Sequence, residues 1–207
     1  MPAVLPRGER FPLIRRTNMS GRALDVLVAP RCSPGRGRAR FQRSMKTFDP
    51  LADPESVFPI LSDIALFGGL SERQLSEVCR WLEQGAFVKG EHIFRKGDDP
   101  SHIYIVTRGK IDLLIMEQGL ALQKKTLVAG ECFGEASLMS MQRHAATAVA
   151  REDSEVIVLS RRALLRLQKE DAALFSLLMM NIARELARRL RLTDDILLRL
   201  MQTHDSG

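Results

Sequence analysis

The stretch FGEASLMSMQRHAATAVA, residues 133 to 150, decides how this chain is read. Gly134 precedes a carboxylate, Glu135. A short linker follows, then two basic side chains, Arg143 and His144, and then small residues ending at a threonine. Two questions arise at once. One is what needs an acid and a base nine residues apart with small residues beside each. The other is why two candidate bases stand next to each other.

The sequence around this stretch is a series of short β-type runs: AFVKGEHIFRKGDD, HIYIVTRGKIDLLIM, LQKKTLVAGECF and ATAVAREDSEVIVLS. Turn signals KG, KGDDP, RG, QG and AG separate them. Short strands at close, regular spacing predict an all-β barrel or sandwich over 86–160. Gly97, Gly109 and Gly130 fall at turn positions that tolerate a positive φ.

Helical spacing lies on both sides. PESVFPILSDIALF and LSERQLSEVCRWLEQG repeat apolar residues at Leu61, Ile64, Ala65, Leu70, Leu75, Val78, Trp81 and Leu82. Ser71 is the expected N-cap, with Gln74 at capping-box spacing, and Gly85 the expected stop. After residue 160, RRALLRLQKED predicts a short helix. The segment from Ala172 predicts a long one, with Leu178, Ile182, Leu186 and Leu190 in one stripe that Ile196, Leu197 and Leu200 extend. So long an apolar face exceeds what a small β-domain covers, which predicts a parallel dimer seam. A helix packed wholly on its own domain is the alternative.

The chain has 207 residues and a net charge of +6, but the charge is uneven. Residues 1–44 hold ten Arg against Glu9 and Asp25, so the remainder is slightly acidic. That body lacks the bulk basic face of a nucleic-acid binder. Five prolines and the run PRCSPGRGRAR predict an unstructured Arg/Pro-rich tail over 1–44. A transit peptide, a nucleic-acid arm, or upstream sequence that a start at Met45 removes are alternatives. The expected divisions are 1–44 tail, 45–85 helices, 86–160 β-roll and 161–207 helices. No apolar run is long enough for a membrane helix, so no membrane partner is expected. Cys32, Cys79 and Cys132 are odd in number and widely spaced. They predict neither a disulfide framework nor zinc; Cys79 and Cys132 are expected as small buried hydrophobes, and a reducing cytoplasm is the expected compartment. His92, His102, His144 and His204 form no metal-binding pair, and no metal or cofactor is expected; His92 and His102 are expected on solvated strand edges.

In order, GEHIFRKGDDPSHIYIVTRGKIDLL, GECFGEASL, AATAVAREDSEVIVLSRRALLRL and ELARRLRLTDDIL resemble the cyclic nucleotide-binding domain family. The resemblance spans roughly residues 55 to 202 and includes the long helix of the bacterial catabolite activator proteins. It implies a mainly β fold with flanking helices: a jelly-roll of the cyclic nucleotide-binding type ending in a dimerisation helix. It also implies a ligand, cAMP or cGMP, held by a phosphate-binding cassette. The implied site is Phe133, Gly134, Glu135, Ala136, Ser137, Arg143, His144 and Ala145, with Thr193 and Asp194 from the long helix. Glu135 would accept a hydrogen bond from the ribose 2′-hydroxyl. A guanidinium would fork onto the phosphate. The small residues let backbone N–H groups approach it, and Thr193 would reach the base. Glu135 as a simple first-turn carboxylate, and Thr193 as an N-cap with Asp194 and Asp195 in the first turn, are the competing readings.

The family pattern places Arg where His144 stands. Either the loop bulges and Arg143 reaches the phosphate, or His144 faces inward and Arg143 outward. Extended neighbours face opposite sides, and the gapless alignment favours His144 inward. A neutral imidazole cannot fork onto a phosphodiester. Losing a buried partner to a charge costs about 2–5 kcal/mol. Weak, pH-dependent or absent nucleotide binding follows.

The leading expectation is a non-catalytic, dimeric sensor that controls an unidentified protein partner through its C-terminal helix. The alternatives are a ligand-free dimerisation scaffold, or a transcription-regulator relative without its DNA reader, for which no specific DNA binding is expected. A cupin-like metalloenzyme is disfavoured by the scattered histidines.

Overall fold

In a computed structural model, residues 13–17, 23–27, 47–52, 54–117 and 120–204 are described. The strands are β1 (Leu13–Thr17), β2 (Ala23–Leu27), β3 (Asp49–Pro50), β4 (Leu82–Phe87), β5 (His92–Phe94), β6 (His102–Arg108), β7 (Ile111–Glu117), β8 (Leu120–Leu127), β9 (Cys132–Phe133), β10 (Thr147–Ala150) and β11 (Ser154–Ser160). The helices are α1 (Pro54–Asp63), α2 (Glu72–Cys79), α3 (Glu135–Ser140), α4 (Arg161–Glu170) and α5 (Ala172–His204), with a 3-10 turn at Ala65–Phe67.

The strands form two antiparallel sheets. One runs β1-β2-β8-β7-β10-β5 and the other β3-β4-β11-β6-β9. The second sheet is buried on both faces, and its residues alternate accordingly. Tyr104, Val106, Val156 and Val158 point into the roll, beside Phe87, Phe94, Ile111, Leu127, Phe133, Ala148 and Ala150. Ile103, Ile105, Ile157 and Leu159 point the other way, onto Leu61, Ile64, Phe67, Val78, Leu164, Leu174 and Leu178 of the helical layer. The jelly-roll architecture and long C-terminal helix expected from the sequence are both present.

Local signals explain most helix ends. Ser71 and Gln74 close a reciprocal capping box on α2. Ser160 ends β11 and caps α4 by accepting from the Ala163 N–H at 3.1 Å. Asp171 accepts from the Leu174 N–H at 2.9 Å and starts α5. Buried Asn181 donates to Leu66 O (3.1 Å) and Gly68 O (2.8 Å), tying α5 to the 3-10 turn. Gly109 needs its lack of a side chain: φ is +83°, and a Cβ would lie 2.6 Å from Asp153 O. Gly97 and Gly130 also have positive φ, as their turn positions require.

Three expectations need correction. Leu13–Thr17 and Ala23–Leu27 are strands, not unstructured tail; they pair with each other, and Leu27 pairs with Ala121 of β8. The outer backbone edge of β8 gives β2 a pairing partner that the proline-rich composition does not reveal. The rest of residues 1–44, Cys32 included, and residues 205–207 lie outside the described residues. Gly85 does not stop a helix: α2 ends at Cys79 and Gly85 lies inside β4, where the Phe48 ring fills the space a side chain would need. The apolar stripe on α5 is covered by its own domain only in part, in line with a face longer than the domain can bury. Leu178 and Ile182 are buried and Leu186 half-buried, but Leu190, Ile196 and Leu197 are 62%, 58% and 53% exposed. His102 is half-buried in the central strand β6, with its ring 5.0 Å from Phe48, rather than on a solvated edge.

Candidate ligand-binding cassette

The cassette begins where β9 pairs with β6, Phe133 opposite Tyr104. Gly134 then turns the chain at φ +85° into α3. A Cβ there would sit 2.9 Å from His102 O and 3.0 Å from the Tyr104 ring, so both the dihedral and the space demand glycine. The turn delivers Glu135 to the first position of α3 with its side chain inward, only 2% exposed.

The carboxylate of Glu135 is not met by a cation of the cassette. It is met by Arg189 of α5, whose Nη1 donates to Oε1. The same guanidinium donates from Nη2 to Cys132 O at 2.7 Å and from Nε to Glu185 Oε1 at 2.8 Å. Glu185 also accepts from Arg188, at 2.9 and 2.8 Å. Burial raises the Glu135 carboxyl above its ordinary range, and the Arg189 charge opposes this. Hydrogen bonds from Arg188 hold Glu185 low. The second oxygen, Glu135 Oε2, is buried and has no hydrogen-bond partner.

His144 points inward and Arg143 outward. His144 is 4% exposed and lies flat on Phe94, ring centroids 3.7 Å apart and planes 8° from parallel. Its N–H donates to Asp98 O at 3.0 Å, and its carbonyl accepts from Gly97 N–H at 2.8 Å, so the loop is pinned to the β5–β6 turn. Burial pushes the imidazole below its usual value, against the pull of Asp98. Arg143 is on the surface, bonded to Gly97 O at 3.2 Å and paired with Asp99 at 3.3 Å. The loop is not bulged to bring Arg143 in.

Phe94 joins the two halves of the cassette, lying on His144 and 5.8 Å from Phe133. Tyr104 stacks on Phe133 at 5.0 Å. Of the other expected site residues, Ala136 and Ala145 are exposed and Ser137 half-buried. Thr193 and Asp194 are exposed on α5, and Thr193 Oγ1 donates back to Arg189 O at 3.0 Å. Thr193 is therefore mid-helix and not an N-cap, because α5 runs unbroken from Ala172 to His204.

Arg189 was missed in the sequence. Its signal was the i, i+4 pair with Glu185 beside the apolar stripe, which reads equally as an exposed surface pair. Cys79 and Cys132 are buried and free, with burial pushing each thiol up to about 11. Among the described residues no cluster of His, Cys, Asp and Glu could hold a metal ion, and no helix is long and apolar enough to cross a membrane.

Comparison with known proteins agrees with this fold. Residues 85–171 match the family described as cyclic nucleotide-binding domain. The cyclic AMP receptor protein of Thermus thermophilus is 35% identical over 132 residues, which is 62% of this chain and 58% of that protein. The cAMP-dependent protein kinase regulatory subunit of Eremothecium gossypii is 34% identical over 96 residues, 46% of this chain and 20% of that protein. The chain thus spans little more than half of the first relative and a fifth of the second. The crystal structure of the Thermus thermophilus catabolite activator protein superposes with a TM-score of 0.59 at 34% identity, covering 66% of this chain and 62% of that one. Over residues 85–171 the chain is therefore similar to the cyclic nucleotide-binding domain family.

Proposed function

We propose that the chain is a non-catalytic sensor of a ribose-bearing ligand of the cyclic nucleotide class, cAMP and cGMP being the first candidates. In this reading it works in a reducing cytoplasm and signals through α5 to a second copy of itself and to a protein partner. The observation that carries this reading is Glu135 Oε2. An unpaired acceptor inside a protein costs about 1–3 kcal/mol. A sugar hydroxyl on Oε2 would recover that cost, while Arg189 holds Oε1 in place. The names of the relatives, a cyclic AMP receptor and a cAMP-dependent kinase regulatory subunit, support the same ligand class.

Arg189 also supports a route for the signal. It joins the ligand carboxylate to α5 directly, so whatever binds Glu135 acts on an anchor of that helix. Beyond the anchor, α5 exposes Leu190, Leu197, Leu198 and Met201, a face suited to a partner helix. Binding that favours one packing of the paired helices would shift the population toward it.

His144 favours a second reading, a ligand-free dimerisation scaffold. Calorimetric titration with cAMP and cGMP, at about pH 6 and about pH 7.5, of the native chain and His144→Arg separates the two. Binding by either protein that Glu135→Gln abolishes supports the sensor. Its absence from both, with folded protein, leaves the scaffold.

A further inference from the structure

The sensor reading leaves open what charge the ligand carries, and the cassette constrains it. Within residues 133–147 the only basic side chains are Arg143 and His144. Arg143 sits on the outer surface, bonded to Gly97 O and paired with Asp99. The His144 ring is clamped flat under Phe94, so neither of its nitrogens can act as a fork toward an anion. The half-buried guanidinium of Arg189 is spent on three protein acceptors: Glu135, Cys132 O and Glu185. The acids of the neighbouring turn, Asp98 and Asp99, flank His144 and Arg143. A phosphodiester placed here would bring a charge with no cation to meet it, whereas a hydroxyl would find Glu135 Oε2.

Resting on the sensor reading, we infer that the native cassette selects an uncharged ribonucleoside over the corresponding cyclic nucleotide. The ribose hydroxyl donates to Glu135. The absent phosphate removes the need for the guanidinium that His144 replaces. One side-chain exchange in the cassette would thereby change the ligand from an anion to a neutral molecule without altering the fold.

The test is calorimetry on the full chain with four probes: adenosine, guanosine, cAMP and cGMP. The proteins are native, His144→Gln, His144→Arg, Arg143→Ala and Glu135→Gln, each with a melting transition to confirm folding. Native and His144→Gln should bind at least one nucleoside roughly tenfold tighter than its cyclic phosphate, a difference of about 1.4 kcal/mol. His144→Arg should reverse the order by a similar factor, and Glu135→Gln should weaken both. Native protein binding the cyclic nucleotide as tightly or more tightly overturns the inference and leaves the sensor reading standing. If Arg143→Ala then removes that binding, Arg143 swings in to hold the phosphate. Native protein that binds no probe, beside a His144→Arg variant that binds cyclic nucleotide, also overturns it. Folded proteins that all bind nothing remove the sensor reading itself.

Discussion

His144 and Phe94 lie ring on ring, 3.7 Å apart and within 8° of parallel, at the place where the family pattern calls for an arginine. The contact makes the imidazole part of the roll's aromatic packing. Burial lowers its proton affinity below the usual value of about 6.5.

The first prediction concerns pH. A histidine with a depressed folded value binds its proton first in the unfolded chain, so stability is full above about pH 6.5 and falls as pH drops toward the folded value. His92 and His102 are shifted the same way by burial. Glu135, shifted upward, acts oppositely and stabilises relatively more at low pH. Urea unfolding at about pH 7.5 and about pH 5 should show a loss on acidification that shrinks in His144→Gln. An equal loss in both proteins would mean His144 does not titrate with folding.

Arg189→Ala should be among the most damaging single changes on α5. It strips the cation from a carboxylate that is 2% exposed, and breaking such a pair costs about 3–5 kcal/mol. Adding Glu135→Gln should return a good part of the loss, because the amide leaves no buried charge. A double variant no more stable than the single one would show that Arg189 acts through packing alone.

Met141 closes α3 with φ at +56°, the one non-glycine residue with positive φ among those described. That conformation costs a side chain about 1 kcal/mol or more. Met141 is also exposed, so its side chain adds little packing. Met141→Gly should raise stability by about 0.5–1 kcal/mol in chemical denaturation, even though glycine loosens the unfolded chain. Destabilisation instead would reveal a contact made by the methionine.

The exposed face of α5 predicts association. Sedimentation of the native chain should give a dimer, and Leu197→Asp or Leu190→Asp should give monomers with an unchanged melting transition, because both side chains are exposed on one face of α5. A monomeric native protein at tens of micromolar would remove the seam from the proposed signal route.

Much of the fold was legible because it rests on local chemistry. Ser71 with Gln74, the glycines at 97, 109 and 130, and the alternation along HIYIV each act within a few residues. Gly85 misled because glycine after a helical run reads as a stop, while its actual constraint is Phe48, far away in sequence. The stripe on α5 shows a different limit. Periodicity shows that a face is apolar, not what covers it, and the domain's own core ends near Leu186.

The sequence alone determined the roll, the flanking helices and the adjacent bases Arg143 and His144 of the candidate cassette. Tertiary structure decided which base turned inward, because the aromatic interior at Phe94 accepts a flat imidazole and the surface at Asp99 takes the arginine. It also decided that Glu135 is held by Arg189, a pairing across 54 residues that no spacing rule encodes. Local patterns report what a segment prefers. Which charges meet depends on where packing brings distant segments together.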